Sequence, residues 1–341
     1  MHLVRLIRHG RVALLALAAA LLAGCADTAT APGAENEPVA LRVNVFRGAT
    51  NIPIYMAQER GYFAREGITL TLQFTPNSIS QRDGLAAGRF DIAHAAVDNA
   101  VAMVEVSKND VVIVGGGDSG MNEFLVRPDI KQITDLRGRT LVVDAPNTAF
   151  ALLGRKVLKN AGLVDGRDYK LNPVGGSQTR VMALDNPNGA AAILNPPWNY
   201  IGKDRGAKSL GTIKDLYGAY QATGVFVMRP WAVANANALE RYLGAFIEGC
   251  RAAQDPTNRE QTIAVLQREL QLERHTAELT YQDLITPGHG LSKDCAFDMQ
   301  GFRNVLDLRA EMEGQWDGKA PPPEKFIDLR YYQRALQHAA R

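Results

Sequence analysis

Hydrophobic and polar positions take turns along this chain with two periods. Leu41, Val43 and Val45 alternate with polar residues, Met56 to Phe63 carry a helical spacing, and Ile68, Leu70, Leu72 and Phe74 alternate again. The pattern continues with a helix around Gln81 to Ala87, a strand Asp91 to His94, a helix Asp98 to Val106 and a strand Val111 to Val114. It restarts after Pro128: strand Thr140 to Val143, helix Phe150 to Asn160, strand Tyr169 to Asn172, helix Gln178 to Leu184, strand Ala190 to Leu194. Repeated strand and helix alternation predicts parallel sheets covered by helices, in two successive units. From Trp231 the spacing is almost wholly helical, with Leu239, Leu243, Phe246 and Ile247 on one apolar face. Further helices are predicted around Arg259 to Leu270, Ala277 to Ile285 and Phe297 to Glu313. Pro321 to Pro323 break the chain before a last amphipathic segment from Ile327.

The 341 residues are 46% hydrophobic and 22% charged, which excludes a fibrous or wholly disordered chain and suggests about two domains. Basic residues exceed acidic ones by 38 to 36, but Arg5, Arg8 and Arg11 stand in an N-terminal segment. Setting them aside removes the excess, so no basic field argues for nucleic acid. That segment is a basic stretch, Met1 to Arg11, and an apolar run, Val12 to Ala23, shorter than the roughly 20 residues of a membrane span. It ends in Leu22-Ala23-Gly24-Cys25, which resembles the lipobox of bacterial lipoproteins, whose cysteine becomes the lipidated first residue. Residues 1–24 are therefore read as a signal peptide and 25–40, rich in Ala, Thr, Pro and Glu, as a tether reaching on the order of 20 Å. The body has two cysteines, Cys250 and Cys295, which either form a disulfide outside the cytoplasm or stand as two buried thiols.

Three stretches carry a family resemblance. Asn51-Ile52-Pro53-Ile54-Tyr55-Met56-Ala57-Gln58-Glu59-Arg60-Gly61-Tyr62-Phe63-Ala64-Arg65-Glu66-Gly67-Ile68 resembles the opening of periplasmic binding proteins of the nitrate/taurine/sulfonate and pyrimidine-precursor type. Leu85-Ala86-Ala87-Gly88-Arg89-Phe90-Asp91-Ile92-Ala93 and Asp135-Leu136-Arg137-Gly138-Arg139-Thr140 resemble later stretches of that family, in the same order. The resemblance implies an α/β fold of type II with two lobes, each a mostly parallel sheet flanked by helices, joined by a two-strand hinge. Lobe I is expected at 41–125 with 228–341 and lobe II at 126–227, with crossings near Phe124 to Arg127 and Val225 to Met228.

Enzymatic motifs find no support in context. Gly115-Gly116-Gly117-Asp118-Ser119-Gly120 matches a dinucleotide fingerprint, yet Phe124-Leu125-Val126 reads extended where a helix should open. A glycine turn leading to an interdomain crossing is expected instead. The histidines of the body, His94, His275, His289 and His338, lack metal-ligand spacing, so neither metal nor cofactor is expected. His94, at a strand end, reads as a satisfied core residue.

Ligands of open α/β sheets bind at the carboxyl ends of the strands, where helix N-termini offer free N–H groups. The expected ligand-binding residues are Arg47, Asn51, Ser78, Asp98 and Asn99 from one lobe and Asn147, Thr148, Asn195 and Trp198 from the other. Each polar one competes with a plain helix-capping role. Trp198 either stacks on a planar ligand or packs against a neighbouring helix. Asp98 would repel a simple anion unless Arg47 or Arg82 compensates. Capture rather than turnover is expected: a monomeric solute-binding protein on the periplasmic or cell-surface side, anchored to a membrane through lipid and working with ABC importer permease subunits. An enzyme of the same fold, similar to pyrimidine-precursor synthases, and a lipoprotein presenting its solute to a separate sensor are the alternatives. Mass spectrometry of membrane-extracted protein is expected to show an acylated N-terminal Cys25; a free, soluble product beginning elsewhere would refute the lipobox.

Overall fold

The computed structural model describes residues 38–187 and 189–339. Cys25 and the expected signal peptide lie outside the described residues. Two five-stranded sheets organise the rest. The first contains β1 (Val39–Val45), β2 (Ile68–Phe74), β3 (Ile92–Ala96), β4 (Val111–Gly115) and β10 (Thr223–Met228), in the order β2-β1-β3-β10-β4. The second contains β5 (Glu123–Val126), β6 (Arg139–Val143), β7 (Tyr169–Pro173), β8 (Ala191–Leu194) and β9 (Lys208–Thr212), in the order β7-β6-β8-β5-β9. The two orders are the same pattern. In each sheet one antiparallel strand, β10 or β5, is inserted between parallel ones.

The alternation of β1 is explained by its surroundings: Leu41, Val43 and Val45 are buried under helices, while Arg42 faces water and pairs with Asp91. Positive φ at Gly61 and Gly67 lets the chain leave the first helical segment and enter β2.

β5 was expected at a crossing and is instead a fully buried strand of the second sheet. The chain thus passes between sheets after Gly115 and before Glu123, and returns after Thr212 and before Thr223, earlier in both cases than expected. The two connecting segments lie side by side, with the Ile213 N–H donating to the Asn122 carbonyl and the Ala222 N–H to that of Asp118. The glycine string of the first segment is a packing device. A Cβ on Gly116 would meet the Ala296 carbonyl at 2.4 Å, and one on Gly117 would meet Thr223 Oγ1 at 2.5 Å. β9 and the short helix Ile213–Leu216 had no counterpart in the hydrophobic pattern, because β9 is an edge strand with no buried position.

The helical tail belongs mainly to the first sheet. Ala236–Gln254 buries Leu239, Leu243, Phe246 and Ile247 against it, as their spacing predicts. Cys250 of that helix and Cys295 are both buried, with Cα atoms 6.1 Å apart, within the span of a disulfide.

The helix Met299–Glu313 does something else: it lies along the connecting segments and reaches the second lobe. Arg155 and Lys156 of the helix Ala149–Asn160 bond its Glu313 and Glu311 at 2.6 and 2.7 Å, as surface pairs of small individual worth. Arg309 of the same helix is wholly buried and forms two 2.7 Å bonds to Asp98, which is 1% exposed. Nη2, one of the two donors to Asp98, also donates to the Asn147 carbonyl at 3.0 Å. Burial opposes the charge on Arg309, but Asp98 outweighs it and the guanidinium is held more basic than usual. Removing one member of such a pair strands a buried charge, at a cost of about 3–5 kcal/mol. Arg309→Ala is accordingly expected to lower the denaturation midpoint sharply, whereas replacing both Arg309 and Asp98 by apolar residues should recover much of the loss; urea titration of the ligand-free variants measures both.

Candidate functional site

Between the two sheets lies a cavity of about 870 Å³, open mouth included. Its walls come from the segments that follow β1, β2, β3 and β4 on one side and β6, β7 and β8 on the other. Four hydrogen bonds draw its lips together. The Trp198 indole N–H donates to the Arg47 carbonyl at 3.0 Å, and the Gly176 N–H to the Pro76 carbonyl at 2.9 Å. The Ala49 N–H donates to the Pro196 carbonyl at 3.2 Å, and the Ser78 N–H to the Asp144 carboxylate at 3.0 Å. Each joins a residue of the first lobe to one of the second, so the lobes are closed on the cavity.

Of the expected ligand-binding residues, Arg47, Asn51, Ser78, Asn99, Thr148 and Asn195 line this cavity. Several spend their side chains locally. Asn51 Nδ2 donates to the Phe46 carbonyl, Thr148 Oγ1 donates to the Ala145 carbonyl, and Asn195 Oδ1 accepts from the Ser177 hydroxyl. Arg47 turns its guanidinium to the Glu269 carbonyl and the face of Phe74, 4.3 Å from the ring centroid. Asn99 and Ser78 bond one another at 3.1 Å.

Three expectations are corrected by the geometry. Asp98 does not line the cavity; its hydrogen-bonded cation is Arg309, not Arg47, and Arg82 stands within its electrostatic reach. Asn147 offers its carbonyl to Arg309 and its side chain does not line the cavity. Trp198 packs among Val181, Leu194 and their neighbours at 7% exposure, and its N–H pins the lips.

The cavity also presents groups that junction residues alone did not reveal. Arg180, in the helix Ser177–Ala183, is 3% exposed; it donates to the Ile193 carbonyl at 2.9 Å and to Ser177 Oγ at 2.7 Å, leaving Nε without a partner. Burial pushes its guanidinium down to about 10, partly offset by Asp144, and it remains charged at neutral pH. No local pattern signals this placement, since consecutive helical residues such as Arg180 and Val181 point in different directions. Asp118 lines the wall too, bonded to the Thr223 hydroxyl and the Gly120 N–H, and burial raises its carboxyl. His94 stands on the floor, and burial pushes its imidazole down to about 3. At the mouth of the helix Ala149–Asn160, the Thr148 side chain makes no cap bond, so Ala149 and Phe150 meet the cavity without a side-chain cap between them.

A family model described as NMT1/THI5 like matches residues 49–226, just over half of the chain. No curated protein matches the sequence. Among solved structures, the periplasmic nitrate-binding protein NrtA from Synechocystis PCC 6803 superposes with a TM-score of 0.74 at 14% identity, over 89% of each chain. The alkanesulfonate-binding protein SsuA from Xanthomonas axonopodis pv. citri, bound to MOPS, gives 0.67 at 19% identity, over 81% of this chain and 94% of that one. The desulfurization enzyme DSZB gives 0.58 at 13% identity, over 87% and 99%. These likenesses establish the shared two-lobed fold.

Trp198→Phe keeps a ring in the second lobe and removes the donor to the Arg47 carbonyl. With about 1 kcal/mol per such bond, the closed state should lose several-fold in population while the melting temperature changes little. Pulsed electron paramagnetic resonance between labels at the exposed Val233 and Val164, which lie on different lobes, measures the shift; an unchanged distance distribution would deny the indole its closing role.

Proposed function

Because the chain belongs to the NMT1/THI5-like family, we propose that it is the extracytoplasmic solute-binding protein of an ABC importer, closing two lobes around a small polar organic or oxyanion-bearing solute. The observation that carries this reading is the closed interlobe cavity with a buried, charged Arg180 on its wall. A charged guanidinium on the wall of an enclosed cavity favours a counter-charge there. The nitrate-binding and alkanesulfonate-binding neighbours agree with such a cargo. On this reading the protein is a monomer tethered to the outer face of a membrane through Cys25. It hands its solute to permease subunits when the lobes part. Binding favours closure because the closed form alone lets both lobes touch the solute.

DSZB shares the fold, so an enzymatic reading is tested directly. A thermal-shift screen of small solutes is expected to find one that stabilises the protein by about 2.7 kcal/mol at 100 times its Kd. Small-angle scattering with that solute should show compaction, and mass spectrometry should recover the solute unchanged. A library without a stabilising member would count against the binding reading, and conversion of the solute would replace it with catalysis.

A further inference from the structure

The two segments that connect the lobes are joined by a third, which belongs to the tail. The Ser119 N–H donates to the Gly290 carbonyl at 3.1 Å and the Ser292 N–H to the Gly117 carbonyl at 3.0 Å. These bonds pair 117–119 with 290–292 as a short antiparallel ladder in which Asp118 stands opposite Leu291. The same loop takes hold of the second connecting segment, since Lys214 Nζ donates to the Gly288 carbonyl at 2.9 Å. Close packing fixes its path: a Cβ on Gly290 would meet the Asp283 and Leu284 carbonyls at 2.2 Å.

This tail strand is fastened to the first lobe within a few residues. In the last turns of the helix Ala236–Gln254, Gln254 Nε2 donates to the Leu291 carbonyl at 2.9 Å and Arg251 Nε to the Asp294 carboxylate at 2.6 Å. Arg251 and Asp294 are 35% and 20% exposed, so that pair alone is a weak tie. Cys250 of the same helix stands next to Cys295, both wholly buried, and a covalent link there would be a permanent one. The fastening bears on the cavity, because Gly117 and Asp118 of the ladder line it and so does Phe246, one turn before Cys250.

Lobes that part about a hinge do so through a few residues that absorb the change in backbone angles. On the first crossing the ladder ends at Ser119 and β5 begins at Glu123, which leaves 120–122 between two paired strands. The fewer the residues free to turn, the narrower the range of openings.

We propose that Cys250 and Cys295 are joined in a disulfide that staples a third strand, 290–292, onto the hinge, confines the bend of the first crossing to 120–122 and so limits how far the lobes open. The bridge forms by exchange with the disulfide of an oxidoreductase: the two thiols give up two electrons and two protons, and the donor disulfide is reduced to two thiols.

Peptide mapping after thiol labelling of the unfolded, unreduced protein is expected to find Cys250 and Cys295 unlabelled; label on either overturns the staple. Pulsed electron paramagnetic resonance of the ligand-free protein, with labels at the exposed Val233 and Val164, reads the opening whatever the cavity holds. Ser292→Pro suits the φ of −63° at that residue, keeps both cysteines and removes the N–H that bonds Gly117. It is expected to add distances longer than any in the unmodified protein, with little change in melting temperature. Ser292→Ala keeps the N–H and should leave the distribution as it was. Replacing both cysteines by Ala is expected to add the same long distances at a lower melting temperature, and if that variant does not fold, Ser292→Pro decides. An unmodified distribution in Ser292→Pro overturns the proposal, and so does an equal lengthening in Ser292→Ala, which would place the effect in the hydroxyl and not in the strand.

Discussion

The buried pair of Arg309 and Asp98 holds the geometry of this protein together, because one guanidinium touches three parts of the fold. It binds the carboxylate that opens the helix after β3, the carbonyl of Asn147 just ahead of the helix Ala149–Asn160, and it belongs to the tail helix that lies along the connecting segments. Asn99 and Thr148, the neighbours of those two contact points, both line the cavity. The position of the cavity walls on both lobes is therefore set from behind, by a residue 211 positions away from its carboxylate partner. A buried ion pair contributes little net stability over an apolar substitute, so its value lies in fixing register among elements that share no strand pairing.

That separation explains what could and could not be read from the chain. The strands of the first sheet were visible because burial on one face leaves a period of two, as in Leu41, Val43 and Val45. β9 was invisible because Lys208 and Ser209 are exposed and its other residues only partly covered. Asp98 was correctly placed at a strand-to-helix junction, but whether a carboxylate there faces solute or a cation depends on Arg309, which nothing local announces. Trp198 left two readings open, and packing at 7% exposure answers for the ring while its N–H serves the lips. Arg180 lay inside an amphipathic helix, where an arginine more often reaches water than a cavity. His94 was read as a satisfied core residue, which holds for Nε2 and leaves Nδ1 out of account.

Charge inside the cleft is arranged so that few groups compete for the same counter-ion. Asp144 takes the Ser78 N–H across the lips, Asp118 takes the Thr223 hydroxyl and the Gly120 N–H, and Arg47 is turned toward Glu269 and Phe74. Arg180 has Asp144 as a distant moderating charge but bonds only neutral oxygens. Its attraction for an incoming anion is thus left unspent by the protein, in surroundings where screening is weak.

Closure and recognition draw on different parts of the residue. Three of the four bonds across the lips end on main-chain carbonyls, and three are donated by main-chain N–H groups, so much of the lip geometry depends on backbone path. Many sequences can supply that path. The floor is the opposite case, since His94 is held by Tyr242 and Phe246 and Arg180 by Ser177 and the Ile193 carbonyl. A change in those few side chains would alter the polar lining of the cavity without disturbing how the lobes meet. Low identity to neighbours that share the fold is then what the physics leads one to expect: the lips constrain backbone, and the cavity lining rests on a handful of side chains.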